Sequence, residues 1–433
     1  MAITVNGAFG PMSAKSGPIR PPLENVHTYN RVPLRREISM PPSKPPISLG
    51  AWAALITTGL SGVMVAGLKP MLVTLYITRF GYSTQVTGNI LTAEMLAATT
   101  GAALVSLLVR RCAHRRMARL ALALLLISDL ASMVPLGLWW LAVVRGLAGA
   151  AEGMAVATMA ATITGLPEPE RLMGTYNTLS MLVFAAAFAV APALAAAGGM
   201  KAVFLSLALM TCLPLVLSNR FPSLDVPAGS LGAADASLPP IGRTVCLLLA
   251  TAAFYIAWGG LWPFLGEMGR HAGLTTSQVG GVLSVSQLVG AAASILTAAL
   301  GRRLGRILPI VVAVTLAFAC TLSLLVSGIA ISVFEWAVPL FMGCAMLFLG
   351  YLMGVVATVD RIGRVTGWVF AIQTIGLGIG PAWGAALVVR HGYRGILTIV
   401  VACIPLTLVF LVPVFAGNAE FRRGPLRGTA RAP

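Results

Sequence analysis

Five ionisable residues stand inside apolar stretches of the chain: Lys69, Glu94, Asp129, Arg145 and Glu152. A charge surrounded by hydrocarbon costs several kcal/mol unless it is paired or hydrated, so each is a functional candidate by default. Their chemistry differs. A carboxylate in a poorly hydrated site can take up and release a proton near neutral pH, which makes Glu94, Asp129 and Glu152 candidate proton carriers. Lys69 and Arg145 can hold an anionic group of a substrate, Arg145 through two parallel hydrogen bonds. Arg145 and Glu152 are seven residues apart, two helical turns, and therefore share a face. The alternative is that Arg145 pairs permanently with Glu94 or Glu152 and only ties helices together.

Other side chains offer neutral contacts. Gln287 and Gln373 lie within apolar runs, and Tyr255, Trp258 and Trp262 follow at i, i+3 and i+7, one stripe of a helix. Such a stripe can stack on a substrate ring, or serve as core packing or an interfacial belt. Trp368 and Trp383 are weaker aromatic candidates. The sequence holds no HExxH, Walker A or GxSxG motif, so an enzyme built on metal, nucleotide or serine chemistry has no basis. Its six cysteines form no CxxC pair and read as small buried hydrophobes, and its four histidines fall in the N-terminal tail or in loops. Neither a metal nor an organic cofactor is expected.

The elements that position these residues follow from composition. The 433-residue chain is 10% charged and 58% hydrophobic, with a mean hydropathy of +0.89. No soluble core hides that much apolar surface, so the surrounding solvent is lipid. The apolar runs are continuous rather than alternating, which selects membrane-spanning helices over a barrel. Twelve spans are expected, at 50–79, 84–109, 117–137, 138–164, 172–197, 200–218, 242–266, 276–300, 307–328, 333–358, 365–389 and 394–416. On this register Lys69 lies about 18 Å from Gly81, near the middle of a core about 30 Å thick. Residues 1–48, with nine prolines and no long apolar run, are expected to be a disordered tail. Residues 49–218 and 241–416 are expected to form two six-helix bundles, with 219–240 as a linker and 417–433 as a basic tail. Twenty-three Lys and Arg fall in the tails and alternate loops on the side of the N-terminus, against five in the opposite loops. That asymmetry predicts cytoplasmic termini and accounts for the net charge of +17. Nucleic acid is not an expected partner, since the basic residues are dispersed.

The chain also repeats itself. GYSTQVTGNILTAE (81–94) returns as GLTTSQVGGVLSVS (273–286), with Gly81 over Gly273 and Gly88 over Gly280. Arg110-Arg111 matches Arg302-Arg303 at the same offset, RLMG (171–174) matches RVTG (364–367), and AVAPALAA (189–196) matches GIGPAWGA (378–385). Two parallel six-helix halves are the pattern of an alternating-access transporter with a site between the halves. Glu94 is matched by Ser286, so the halves share a scaffold but not a chemistry. Gly149 with Gly153, and Gly376, Gly380 and Gly384, are small-residue ladders for close helix approach. Pro70 and Pro381 are expected to kink their spans.

On these features the sequence resembles the major facilitator superfamily. SLLVRRCAHRR (106–116) is similar to the family's loop motif, with Arg111 and Arg115 in basic positions and Arg110 where the family has Asp. AALGRRLGR (298–306) keeps Arg303, Gly305 and Arg306. RGLAGAAEG (145–153) resembles the fourth-span pattern, and APALAAAGG (191–199) a weakened antiporter motif that retains Pro192. The resemblance implies an all-α, twelve-helix transporter that binds a small-molecule substrate among membrane lipids as a monomer. Arg111, Arg115, Arg303 and Arg306 would latch the cytoplasmic gate. In most family members the third span lies toward the outside of the bundle, so Asp129 alternatively bonds only to a neighbouring helix. The expected activity is secondary active transport of a small organic solute, driven by a proton gradient across a bacterial inner membrane; Lys69 and Arg145 lean toward an anion, and the aromatic residues toward a solute with an apolar body. Drug or metabolite efflux by proton antiport is the alternative, and a non-transporting scaffold or sensor a remote one.

Overall fold

The computed structural model describes residues 47–108, 112–164, 166, 169–222, 241–300, 305–359 and 364–416. The N-terminal tail up to residue 46, residues 223–240 of the linker, the C-terminal tail, Arg111 and Arg303 lie outside the described residues.

The described residues form eleven α-helices: α1 (Leu49–Phe80), α2 (Thr84–Leu108), α3 (His114–Ala131), α4 (Leu138–Thr164), α5 (Pro169–Leu217), α6 (Ile241–Leu261), α7 (Leu265–His271), α8 (Thr276–Leu300), α9 (Ile307–Val326), α10 (Ile331–Val359) and α11 (Arg364–Ala416). Two are double length. α5 leaves helical geometry at Gly198 and at Gly199 (φ 60°), and α11 does so at Gly392 (φ 65°). A left-handed φ is strained for any residue with a Cβ, so a glycine is what lets each rod end and a second arm begin. With those breaks, each of the twelve expected spans has a helical counterpart among the described residues. Nine of the described helices are long and apolar enough to cross a membrane, counting α5, α11 and the α6–α7 stretch once each. Outward-facing residues such as Leu107, Trp139, Val216 and Val326 are strongly exposed, a surface that suits lipid and not water. This is a multi-pass membrane protein.

Two spans depart from expectation. α3 ends at Ala131, not 137, because Pro135 and the left-handed Gly137 (φ 95°) take the following residues out of helix. Asp129 therefore sits in the last turn of α3 and not at mid-span. The seventh span breaks at Pro263 into α6, a 3₁₀ turn (Trp262–Phe264) and α7.

The sequence repeat has a structural counterpart. α2 and α8 are both 25 residues long. Each follows a glycine of positive φ, Gly81 (68°) and Gly273 (105°). Each also has a hydroxyl accepting a backbone N–H of its first turn: Val86 N–H to Ser83 Oγ (3.3 Å) and Gln278 N–H to Thr275 Oγ1 (3.2 Å). Within the first half α2 packs along α4, and α3 along α4 and α5. Within the second, α8 packs along α10, α10 along α9, and α6 along α11. Between the halves α2 meets α11, α5 meets α8, and α1 meets the 3₁₀ turn and α7.

Candidate functional site

The site is assembled by the α2–α4 contact. A Cβ built on Gly149 would overlap the Glu94 carbonyl, and one on Gly153 the Ala98 carbonyl. The two glycines on α4 thus let its backbone lie directly on that of α2, the close approach expected of a small-residue ladder. Arg145, one turn before Gly149, is brought against Glu94 of α2, Glu152 of its own helix and Asp129 of α3.

All four side chains are buried. Arg145 Nη1 donates to Asp129 Oδ1 at 2.9 Å. Nη2 donates to Glu94 Oε1 and, at 3.3 Å, to Glu152 Oε1. The Phe204 ring, on the second arm of α5, lies 5.6 Å from the guanidinium carbon, within cation–π range. Among the described residues, Glu94 Oε2, Glu152 Oε2 and Arg145 Nε have no hydrogen-bond partner. Of the two arrangements open to Arg145, this structure contains the ion-paired one, with three carboxylates rather than one.

Lys69, on α1, is 3% exposed. It lies within electrostatic reach of Glu94 and Glu152, yet among the described residues it makes no hydrogen bond or ion pair. Tyr76 on the same helix is fully buried with its hydroxyl unpartnered. Fully ionised, the cluster holds three negative and two positive groups.

The second half contributes neutral groups. Gln287 of α8 and Gln373 of α11 are buried, with Oε1 and Nε2 respectively unpartnered. Ser286, opposite Glu94 in the repeat, donates to the Val282 carbonyl of its own helix. The expected aromatic stripe is interrupted. Tyr255 and Trp258 stack at 5.9 Å, but Trp262 falls in the 3₁₀ turn and meets Phe188 of α5 edge-on at 6.1 Å. Trp368 is exposed on the outer surface. Trp383 lies where a Cβ on Gly260 would be.

The contacts between halves are themselves repeated, a feature the linear reading did not single out. Thr92 Oγ1 accepts the Ala382 N–H at 3.0 Å. At the matching position of the other half, Ser284 Oγ donates to the Ala185 carbonyl at 2.8 Å. Gly88 abuts Pro381 and Ala385, and Gly280 abuts Phe188 and Pro192. Gly266 of α7 abuts Pro70 and Thr74 of α1. These contacts cluster toward the ends of the helices nearer the 81–83 and 272–275 turns. The paired hydroxyls at offset 192 were the signal available in the sequence.

Of the expected gate residues, Arg115 Nε donates to the Phe221 carbonyl at 3.0 Å. Arg119 bonds Ser218 and Asn219. Both tie the start of α3 to the end of α5 within the first half. Arg306 stands beside Gly354 of α10.

Two six-helix bundles related by an internal repeat, joined along α2–α11 and α5–α8, with buried charge in one of them, define a transporter-type membrane protein. The chain belongs to the Major Facilitator Superfamily, whose family model matches residues 54–359. Solved structures share the fold. A D-xylose–proton symporter is 15% identical at a TM-score of 0.65, covering 84% of this chain and 96% of its own. The human organic anion transporter MFSD10 (TETRAN) is 16% identical at 0.60, covering 84% and 98%. The proton:xylose symporter XylE, bound to 6-bromo-6-deoxy-D-glucose, is 13% identical at 0.62, covering 84% and 94%. No protein with a curated description matches the sequence.

Proposed function

We propose that this protein is a secondary transporter that carries a small organic anion together with protons by alternating access, as a monomer in a bacterial inner membrane. The observation that carries the reading is a buried arginine shared by three buried carboxylates beside an unpaired buried lysine. Arg145 is occupied by protein carboxylates, which leaves Lys69 as the group for a substrate anion. With three acids and two bases, one bound proton makes the cluster neutral. An anion arriving at Lys69 restores a negative excess in a low-dielectric site and so favours a further proton. By linkage the proton then favours the anion to the same degree. Charge balance therefore supports symport for an anionic solute. The neutral second half, with Gln287, Gln373 and the Tyr255–Trp258 stack, suits the polar and apolar body of the solute.

The charge asymmetry of the loops supports cytoplasmic termini. On that assignment the contacts near 81–83 and 272–275 close the extracytoplasmic side. The unpartnered Oε2 atoms of Glu94 and Glu152 support a second reading, efflux of a cationic drug or metabolite that displaces the proton. A scaffold or sensor would have no use for the buried charges, which would remain an unrepaid cost.

The test is a thermal-shift screen of the purified protein against small organic carboxylates, neutral sugars and lipophilic cations. Ligands that bind the folded state raise its melting temperature by mass action. Stabilisation by a carboxylate, stronger in mildly acidic buffer and lost in Lys69→Ala, is the expected result. Stabilisation by lipophilic cations alone, lost in Glu94→Gln, would replace symport with antiport.

A further inference from the structure

The three carboxylates around Arg145 are not equivalent. Nη1 serves a single partner, Asp129, at 2.9 Å. Nη2 is divided between two, close to Glu94 and 3.3 Å from Glu152. Glu94 and Glu152 each keep a second oxygen without a partner, whereas Asp129 leaves no buried oxygen unpartnered. Lys69 lies within electrostatic reach of Glu94 and Glu152, and Asp129 within that of Arg145 and Glu94. Asp129 also sits in the last turn of α3, next to the turn into α4, and Phe204 backs the guanidinium from α5. Among the described residues, the other ionisable groups acting on the cluster are Lys69 and Tyr76 of α1.

We propose that Asp129 is a positioning residue: it holds the Arg145 guanidinium through Nη1 so that Nη2 passes between Glu94 and Glu152. The carboxylate that Nη2 releases takes the transported proton. The step balances. As one Nη2–H···O contact breaks, a proton adds to the freed oxygen of that carboxylate; as the contact re-forms, the proton leaves to water or to the other side of the membrane. Asp129 stays ionised and bonded throughout. The mobile pair spans two helices that touch backbone to backbone, so a small slide of α2 on α4 suffices to change which glutamate Nη2 prefers. The assignment rests on the proton-coupled reading given above for its role in transport, but its chemistry is testable without a substrate.

The experiment is infrared difference spectroscopy of the wild-type protein between alkaline and acidic buffer. The protein is prepared by cell-free synthesis with ¹³C-carboxyl glutamate or, separately, ¹³C-carboxyl aspartate. The carbonyl-stretch band of a protonated carboxylic acid that appears on acidification is expected to shift with labelled glutamate, to stay with labelled aspartate, and to be lost in Glu94→Gln or Glu152→Gln. Asp129→Asn keeps an acceptor oxygen for Nη1 and should leave the glutamate band at its frequency, whereas Asp129→Ala should move it. A band that follows labelled aspartate, no titrating carboxyl band in the wild type, or an Asp129→Ala spectrum identical to wild type would each overturn the assignment. A glutamate band in a protein that shows no proton-driven uptake keeps the assignment and removes the transport reading.

Discussion

Gly88 and Gly280 mark where the halves meet, and replacing either with alanine should open that side of the protein. A Cβ on Gly88 would stand 2.5 Å from the Pro381 carbonyl oxygen and 2.6 Å from the Ala385 Cβ. On Gly280 it would stand 2.7 Å from the Phe188 carbonyl oxygen and 2.8 Å from the Pro192 Cγ. Ordinary contact begins near 3.4 Å, so the helices must part by about 0.6–0.9 Å (3.4 minus 2.5–2.8). Backbone carbonyls and a proline ring cannot swing aside as a flexible side chain would. Overpacking of this kind costs about 1–3 kcal/mol. The contact exists only while the halves are closed here, so the cost falls on this state and moves the population about 5- to 150-fold toward the other. The assay is pulsed electron–electron resonance between spin labels at Arg79 and Ser277, exposed residues on opposite halves near these turns, with the native cysteines replaced. Gly88→Ala and Gly280→Ala should each enlarge the long-distance population, and the double variant should exceed both. Gly174→Ala, where a Cβ meets nothing within 4 Å, is the control. Unchanged distances in both glycine variants, with the fold intact, would refute the reasoning.

Ser284→Ala removes the hydrogen bond to Ala185 and should shift the same distances in the same direction, by the smaller factor that about 0.5–1.5 kcal/mol allows. Arg145→Met strands three buried carboxylates and should lower folded stability by about 3–5 kcal/mol, seen as a fall in melting temperature. Acidic buffer should restore part of the loss as those carboxylates take up protons, and equal melting at both pH values would contradict the charge account. Gly153→Leu, whose side chain meets the Ala98 carbonyl, should separate α2 from α4 and lower the melting temperature by overpacking. A melting point like wild type would mean the ladder does not set that contact.

The spans were readable because about 20 apolar residues are needed to cross hydrocarbon, whatever surrounds them. Their ends were less so. The sequence places Pro135 and Pro263, but apolar neighbours on both sides hide the helix stop, and Trp262 left its stripe for that reason. Depth along a helix was legible for Lys69, Glu94 and Arg145, because rise per residue is fixed. Which helices face each other was not. Glu152 could be paired with Arg145 from a seven-residue spacing, but bringing in Asp129 required knowing that α3 lies against α4. The division of Nη1 and Nη2 among three carboxylates is a property of packing, and nothing in residue spacing encodes it. The repeat, by contrast, carried more than it first seemed to: Thr92 and Ser284, matched at offset 192, each bond across the halves, to Ala382 and Ala185 respectively.

The most direct test of proton-coupled transport through this cluster uses proteoliposomes with a pH-sensitive dye entrapped and the carboxylate identified by thermal shift added outside. The account predicts internal acidification together with uptake, both driven uphill by an imposed proton gradient in the wild type. In Glu94→Gln, accumulation against a gradient should be lost while downhill exchange remains. Uphill accumulation that survives Glu94→Gln, or uptake without proton movement in the wild type, would contradict it.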